Sequence, residues 1–249
     1  MRLLALLTAC FIPLSASAEG KLSLNTGFEY SNGDYGAASE TEIWMVPIGL
    51  KYQNGPMALR LSTAWLRISG PGGITPDGEP IAGGGVNTTE QGMGDVSTSL
   101  TWNLLDESKH PFGLDAAAKV KFGTADEKKY LGTGENDYSL QAEVFKPIGS
   151  WFPSIKVGHS WKGDPSGIDY RNVWYGSVGA DYRLSKTYSV GAYYDRRQKL
   201  TANGQPVSEA MAYLNSRLNE HSRLNLYVIG GFSDASPDWG AGASLSHNF

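Results

Sequence analysis

Phe112-Gly-Leu-Asp-Ala-Ala-Ala-Lys-Val-Lys-Phe122 is the stretch whose reading decides the fold. Phe112, Leu114, Ala116, Ala118, Val120 and Phe122 fall on one side of a period-two pattern, and Asp115, Lys119 and Lys121 fall on the other. Successive side chains of a strand point to opposite faces, so strict alternation reads as a strand with one apolar and one polar face. Asp137 to Val144 repeats it, with Tyr138, Leu140, Ala142 and Val144 against Ser139, Gln141 and Glu143. The length of the alternation is as informative as its period. Strands of soluble sheets usually run to about five or six residues, whereas a tilted strand crossing lipid needs about nine to eleven.

Working outward, similar segments occupy 21–30, 41–52, 57–68, 93–104, 112–122, 136–147, 152–162, 171–184, 187–198, 207–219, 222–233 and 238–249. The expected fold is therefore all-β: a transmembrane antiparallel up-and-down β-barrel of about 12 strands. An even count is what single-chain bacterial barrels require. The connections alternate as well. Gln53 to Pro56, Leu105 to Pro111, Ile148 to Trp151, Ser185-Lys186 and Glu220-His221 are turns, while Ser31 to Glu40, Ser69 to Gln91, Gly123 to Glu135, Gly163 to Tyr170 and Lys199 to Pro206 are longer. Asp234 to Pro237 is short but lies on the long-loop side. Short periplasmic turns and long outer loops are the expected asymmetry, with both chain ends on the periplasmic side.

The chain start reads as an export signal. Arg2 precedes the apolar run Leu3 to Leu14, and Ala16-Ser17-Ala18 offers small residues for cleavage, giving a signal peptide at 1–18 and a barrel at 19–249. A lipoprotein reading at Leu7-Thr8-Ala9-Cys10 leaves too short an apolar region. Cys10 departs with the signal, so the mature chain has no thiol for a disulfide, a metal or nucleophilic catalysis. The mature balance is twenty basic against twenty-five acidic residues, which gives no reason to expect nucleic acid as a partner. After the signal there is no run of eighteen apolar residues, and mean hydropathy is −0.30, as suits strands shared between lipid and a polar interior.

Tyr30, Trp44, Tyr52, Trp65, Trp102, Trp161, Trp174, Tyr182 and Trp239 fall near strand ends on the apolar faces, where aromatic girdles meet the membrane interfaces. In the last strand Trp239, Ala241, Ala243, Leu245, His247 and Phe249 share a face. Phe249 resembles the terminal aromatic by which barrel-assembly machinery recognises outer-membrane strands, so that machinery and outer-membrane lipid are expected partners. The expected location is the bacterial outer membrane.

Three motifs carry a family resemblance: Gly92-Met-Gly-Asp95 leading to Trp102, Lys119-Val-Lys-Phe-Gly-Thr124, and Leu131-Gly-Thr-Gly-Glu-Asn-Asp137. They resemble the Gly-x-Gly-Asp strand start, the Lys-x-Pro-Thr-Gly-like strand end and the Leu-Gly-Thr-Gly-x-x-Asp strand entry of the outer-membrane barrels grouped as "MetA-pathway of phenol degradation" proteins. Phe122 replaces the proline of that pattern. The resemblance covers about fifty residues and implies a channel or transporter for small, aromatic or hydrophobic solutes.

Among the inward faces the candidate lumen-lining residues are Arg60, Asp95, Asp115, Lys119, Lys121, Glu143, Lys156, Asp181, Arg183 and Arg223, with Glu29, Lys51, Lys162, Asp195 and Arg197 beside them. Twelve strands imply a narrow lumen, between filled eight-stranded barrels and open sixteen-stranded porins. Two readings stand for these charges: they line a small-solute path, or they pair and plug the interior. The loop Ser69 to Gln91, with Pro71-Gly-Gly73 and Gly83-Gly-Gly85, is either a constriction folded into the mouth or an external loop. The function expected is passage of small solutes through a narrow, charge-lined lumen; a structural or adhesin-type barrel and a lipid-modifying enzyme are the alternatives. Catalysis is not expected. His110, His159, His221 and His247 are scattered, and His221-Ser222 are strand neighbours that point to opposite faces. No cofactor or metal is expected, and Gly92-Met-Gly94 and Gly132-Thr-Gly134 lack the following helix and lysine of phosphate loops.

Overall fold

A computed structural model describes residues 20–71, 73–75, 77–81 and 85–249; the signal peptide read at 1–18 lies outside them. Thirteen strands form one antiparallel sheet: β1 Lys21–Gly33, β2 Thr41–Asn54, β3 Met57–Gly70, β4 Thr88–Met93, β5 Val96–Leu105, β6 Gly113–Phe122, β7 Asp137–Phe145, β8 Trp151–Trp161, β9 Val173–Arg183, β10 Tyr188–Arg197, β11 Val207–Arg217, β12 Ser222–Gly231 and β13 Trp239–Asn248. Both β4 and β5 pair with β3, at Trp65↔Met93 to Gly70↔Thr88 and at Met57↔Trp102 to Ser62↔Ser97. They are one barrel strand broken at Gly94-Asp95, so the ring has twelve positions. It closes because β1 pairs with β2 on one side and with β13 on the other, and β2 pairs with β3. Closure leaves no strand edge, which lipid requires because it cannot hydrogen-bond free N–H and C=O groups.

The turns and both ends of the sheet gather at one rim and the long connections at the other. The β2–β3 turn is Gly55-Pro56, with φ +56° at Gly55, a left-handed conformation that only glycine adopts without strain. The loop after β3 is shorter than the sequence suggests. Thr88 to Gln91 is polar and reads as loop, yet its backbone pairs with 67–70 of β3. Its outward Thr89 and Gln91 neighbour Ser69 and Arg67, so this end of the ladder stands in water and needs no apolar face.

The alternation holds around the ring. Leu140, Ile155, Val157, Val178 and Val228 each keep more than half of their surface exposed, all on the outside. An apolar belt of this extent belongs in lipid. Two aromatic girdles bound it. Tyr30, Trp44 and Trp239 cluster near the long-loop rim, with ring centroids 4.6 Å (Tyr30–Trp44) and 5.2 Å (Tyr30–Trp239) apart, and Trp151 packs on Tyr182 at 4.8 Å near the short-turn rim. Leu140, midway along β7, is expected to tolerate charge poorly. Leu140→Arg should destabilise the barrel by about 2–4 kcal/mol, the cost of arginine on a lipid face near the midplane, measured as the shift of the urea midpoint on refolding into vesicles.

Candidate functional site

The charged residues expected in the lumen that lie on paired strands fall on one face of the sheet, and they divide into separate groups. At the short-turn rim, Arg183 sits over the Phe152 ring at 4.8 Å, and Arg217 and Arg223 are directly opposed across β11 and β12. These border the exit rather than the narrow lumen. Further in, Asp181 accepts hydrogen bonds from the hydroxyls of Tyr193, at 2.8 Å, and Tyr213. Tyr227 donates to Glu29 in the same way, and Tyr175 to Gln141 at 3.1 Å.

These tyrosines lie flat because each faces a glycine on the neighbouring strand: Tyr175 opposite Gly158, Tyr193 opposite Gly179, Tyr213 opposite Gly191 and Tyr227 opposite Gly242. A Cβ at any of these glycines would overlap the facing ring. The pairs thicken the wall over β8 to β13 and narrow the lumen. Sequence alternation carries no information on register, so the pairing of these tyrosines with their glycines was not readable.

The opposite wall is apolar toward its outer end. Ile43, Leu66, Ile68, Ala125 and Leu131 are buried together inside the barrel, with Met45, Ala64, Ile74 and Tyr35 packed against them. A signal for this existed in Ile43-Trp-Met-Val-Pro-Ile48, where alternation gives way to six consecutive apolar residues, so both faces of β2 are apolar there.

Between these walls the loop after β3 folds into the mouth. Ile74 and Pro80 form a bridge, the Thr75 N–H donates to the Glu79 carbonyl at 2.9 Å, and the Glu79 N–H donates to Thr75 Oγ1 at 3.2 Å. The hairpin tip is tied to the far wall, where the Tyr170 hydroxyl donates to the Pro80 carbonyl at 2.6 Å. The Arg197 guanidinium donates to the carbonyls of Asp77, at 3.0 Å, and Gly78, at 3.2 Å.

Glu79, 1 % exposed, is the centre of the constriction. It pairs with Lys162, with Lys121 at 3.4 Å and with Arg197 at 3.8 Å. Asp137 bridges the two lysines, at 2.8 Å from Lys121 and 2.9 Å from Lys162, and Asp95 lies 3.5 Å from Lys121. Asp95 also accepts the Ala125 N–H at 2.9 Å. Thus Asp95 and Lys121 join the constriction, while Arg60, Asp115 and Lys119 line a cavity below it. Glu143 faces Lys156 across β7 and β8, and Lys156 reaches Asp195 at 3.9 Å, a long and partly exposed contact. The decisive residue, Glu79, was missed because a lone glutamate in a glycine-rich loop carries no periodicity.

Burial alone would raise the Glu79 carboxyl, but the charges of Lys162, Lys121 and Arg197 outweigh it and hold it at about 2, below the ordinary 4.5. A depressed carboxylate contributes its stabilisation fully above its unfolded value and loses it as pH falls through the folded one. The loop anchor should therefore be intact above pH 4.5 and fail progressively as the pH approaches 2. Conductance that rises over this window in the native barrel, with a rise that is smaller in Glu79→Gln, is the expected result.

Three cavities follow one another along the lumen, each sharing lining residues with the next. An outer vestibule around Tyr35, Leu200 and Asn203 shares Arg197 and Gly78 with a chamber of about 380 Å³ beside Glu79. That chamber shares Lys119 with the cavity of about 420 Å³ opening at Pro56 and Gln53. Enzymatic geometry does not arise at the histidines considered from sequence. The Ser222 hydroxyl contacts His247 Nδ1 at 3.0 Å, not His221, on the lipid side, and among the described residues no carboxylate hydrogen-bonds either histidine. No cluster of metal-ligating side chains occurs among the described residues.

Residues 21–249 match the family described as "Putative MetA-pathway of phenol degradation". Among solved structures, an outer membrane channel from Pseudomonas putida F1 is similar at a TM-score of 0.67 with 13% identity, over 94% of this chain and 97% of that one. The NanC porin is similar at 0.59 with 11% identity, over 92% and 100%, and the KdgM porin at 0.57 with 10% identity, over 91% and 99%. At these identities the likeness is one of fold. No curated protein matches the sequence.

Proposed function

This chain belongs to the MetA-pathway of phenol degradation family, and on that premise we propose that it is an outer-membrane channel passing small solutes through a lumen constricted by an ion-paired loop. The observation that carries this reading is the succession of neighbouring cavities along the lumen, from the vestibule at Asn203 through the chamber beside Glu79 to the opening at Pro56. A loop tied across the lumen to the opposite wall, with a cavity on either side of it, suits a passage that limits solute size. The solutes are small because twelve strands leave a narrow interior. The outer vestibule is lined in part by Tyr35, Ile74, Pro80 and Leu200, and the chamber and cavity below it are charged, which favours solutes with an apolar body and a polar group, aromatic compounds among them.

Outer-membrane placement follows from the apolar belt and its girdles. Phe249, 70 % exposed and set edge-on to His247 at 5.0 Å, offers a terminal aromatic to the assembly machinery. The test is single-channel recording of the refolded mature protein in a planar bilayer. Small discrete steps are expected, with ion selectivity that shifts in Lys119→Glu. A folded barrel that never conducts and gives no solute-dependent swelling of liposomes overturns the reading.

A further inference from the structure

The cations of the constriction are all matched by carboxylates; those just below it are not. Lys51 on β2, Arg60 on β3 and Lys119 on β6 lie in a single register row, Lys51↔Arg60↔Ser99↔Lys119. All three line the cavity of about 420 Å³ that opens at the short-turn rim. Among the described residues none of them has a carboxylate within 4.0 Å. Among the described residues the only acid lining that cavity is Asp115, and its carboxylate already accepts from the Asn103 side chain at 2.7 Å.

Like charges placed directly opposite on a sheet repel, so the Lys51–Arg60 pair costs stability unless something negative stands between them. Three cations against one engaged carboxylate leave the cavity with a positive excess. Arg60 and Lys119 are exposed to the lumen rather than folded against the wall, so their donors are free for a ligand. A guanidinium binds a carboxylate through two parallel hydrogen bonds, and ammonium groups add point charges from the sides. Ser62, Ser97, Ser99 and Thr101 supply further hydroxyls, and the volume exceeds what an inorganic ion fills.

We propose that Lys51, Arg60 and Lys119 form a binding station for small organic carboxylates in the periplasmic half of the lumen. It rests on the channel reading for its purpose: an anion that passes Glu79 reaches Lys119, which lines both the chamber beside Glu79 and the cavity below. The station deepens that reading by naming the chemical class of the solute, and it concentrates that class at the exit through electrostatic attraction.

Calorimetric titration of benzoate into the refolded, detergent-solubilised barrel tests the station without requiring conduction, with benzamide as the uncharged ring of matching shape. Benzoate is expected to bind and benzamide to bind at least tenfold more weakly. Arg60→Gln and Lys119→Gln are each expected to weaken benzoate at least tenfold, with Arg60→Lys recovering part of the loss. Equal affinity for the two compounds, or benzoate binding untouched in both glutamine variants, overturns the station. Planar-bilayer recording separates the two claims. A conducting barrel without benzoate selectivity in calorimetry defeats the station alone, and a silent barrel that still discriminates benzoate through Arg60 supports the station while defeating the channel.

Discussion

Glu79→Gln should raise single-channel conductance more than any other conservative substitution in the lumen, while the strand ladder stays intact. Glutamine preserves the shape of the side chain and removes its charge. The side chains of Lys162, Lys121 and Arg197 are all more than four-fifths buried, and they would then face a neutral amide. Removing one member of a buried ion pair costs about 3–5 kcal/mol, because the remaining charge is left desolvated and unmatched. That cost need not be met by unfolding the barrel. Besides this ion pairing, the hairpin around Thr75 and Glu79 is held to the barrel by the Tyr170 hydroxyl on Pro80, the Arg197 donors on Asp77 and Gly78, and the packing of Ile74 on the apolar cluster. Release of the hairpin into the vestibule returns the cations to water, so the loop moves and the wall stays. Larger steps with an unchanged urea midpoint are the expected pair of measurements. Unaltered step size would show that the hairpin does not limit the current.

The barrel was readable because its physics is periodic. Phe112 to Phe122 and Asp137 to Val144 alternate in sequence as they do in space, since lipid and lumen sort every second side chain. Boundaries moved by only a few residues, except at Thr88 to Gln91, where a ladder above the membrane needs no apolar face. Inwardness of Lys121 and Asp95 followed from the same rule. Their convergence did not, because it depends on strand register and on the Gly94-Asp95 break that turns Asp95 toward Lys121. Glu79 was unreadable for a different reason: the hairpin is held by contacts to Lys121 and Lys162, 42 and 83 residues further along the chain, and nothing local announces them. The glycine motifs at Gly92 and Gly132 have structural roles. A Cβ at Gly92 would press on Leu131, and one at Gly132 on Asp95 and Ala125.

Lys121→Met should be more damaging to the fold than Glu79→Gln, because Lys121 ties the wall as well as the loop. Its ammonium lies 2.8 Å from Asp137, 3.4 Å from Glu79 and 3.5 Å from Asp95, and it donates to Thr133 at 3.4 Å. Methionine keeps the volume but leaves three carboxylates with only Lys162 and Arg197 to balance them. The loss should again be about 3–5 kcal/mol, and here it falls on Asp137 at the start of β7 and on Asp95, which holds Ala125 in the loop between β6 and β7. A lower urea midpoint on refolding into vesicles is therefore expected for Lys121→Met and not for Glu79→Gln. Combining the two removes one charge of each sign, so the double variant should be more stable than the sum of the singles predicts, with a coupling of about 0.5–3 kcal/mol for groups in direct contact. Strict additivity would mean that Glu79 and Lys121 do not sense each other's charge, and the constriction would then be held by its backbone hydrogen bonds alone.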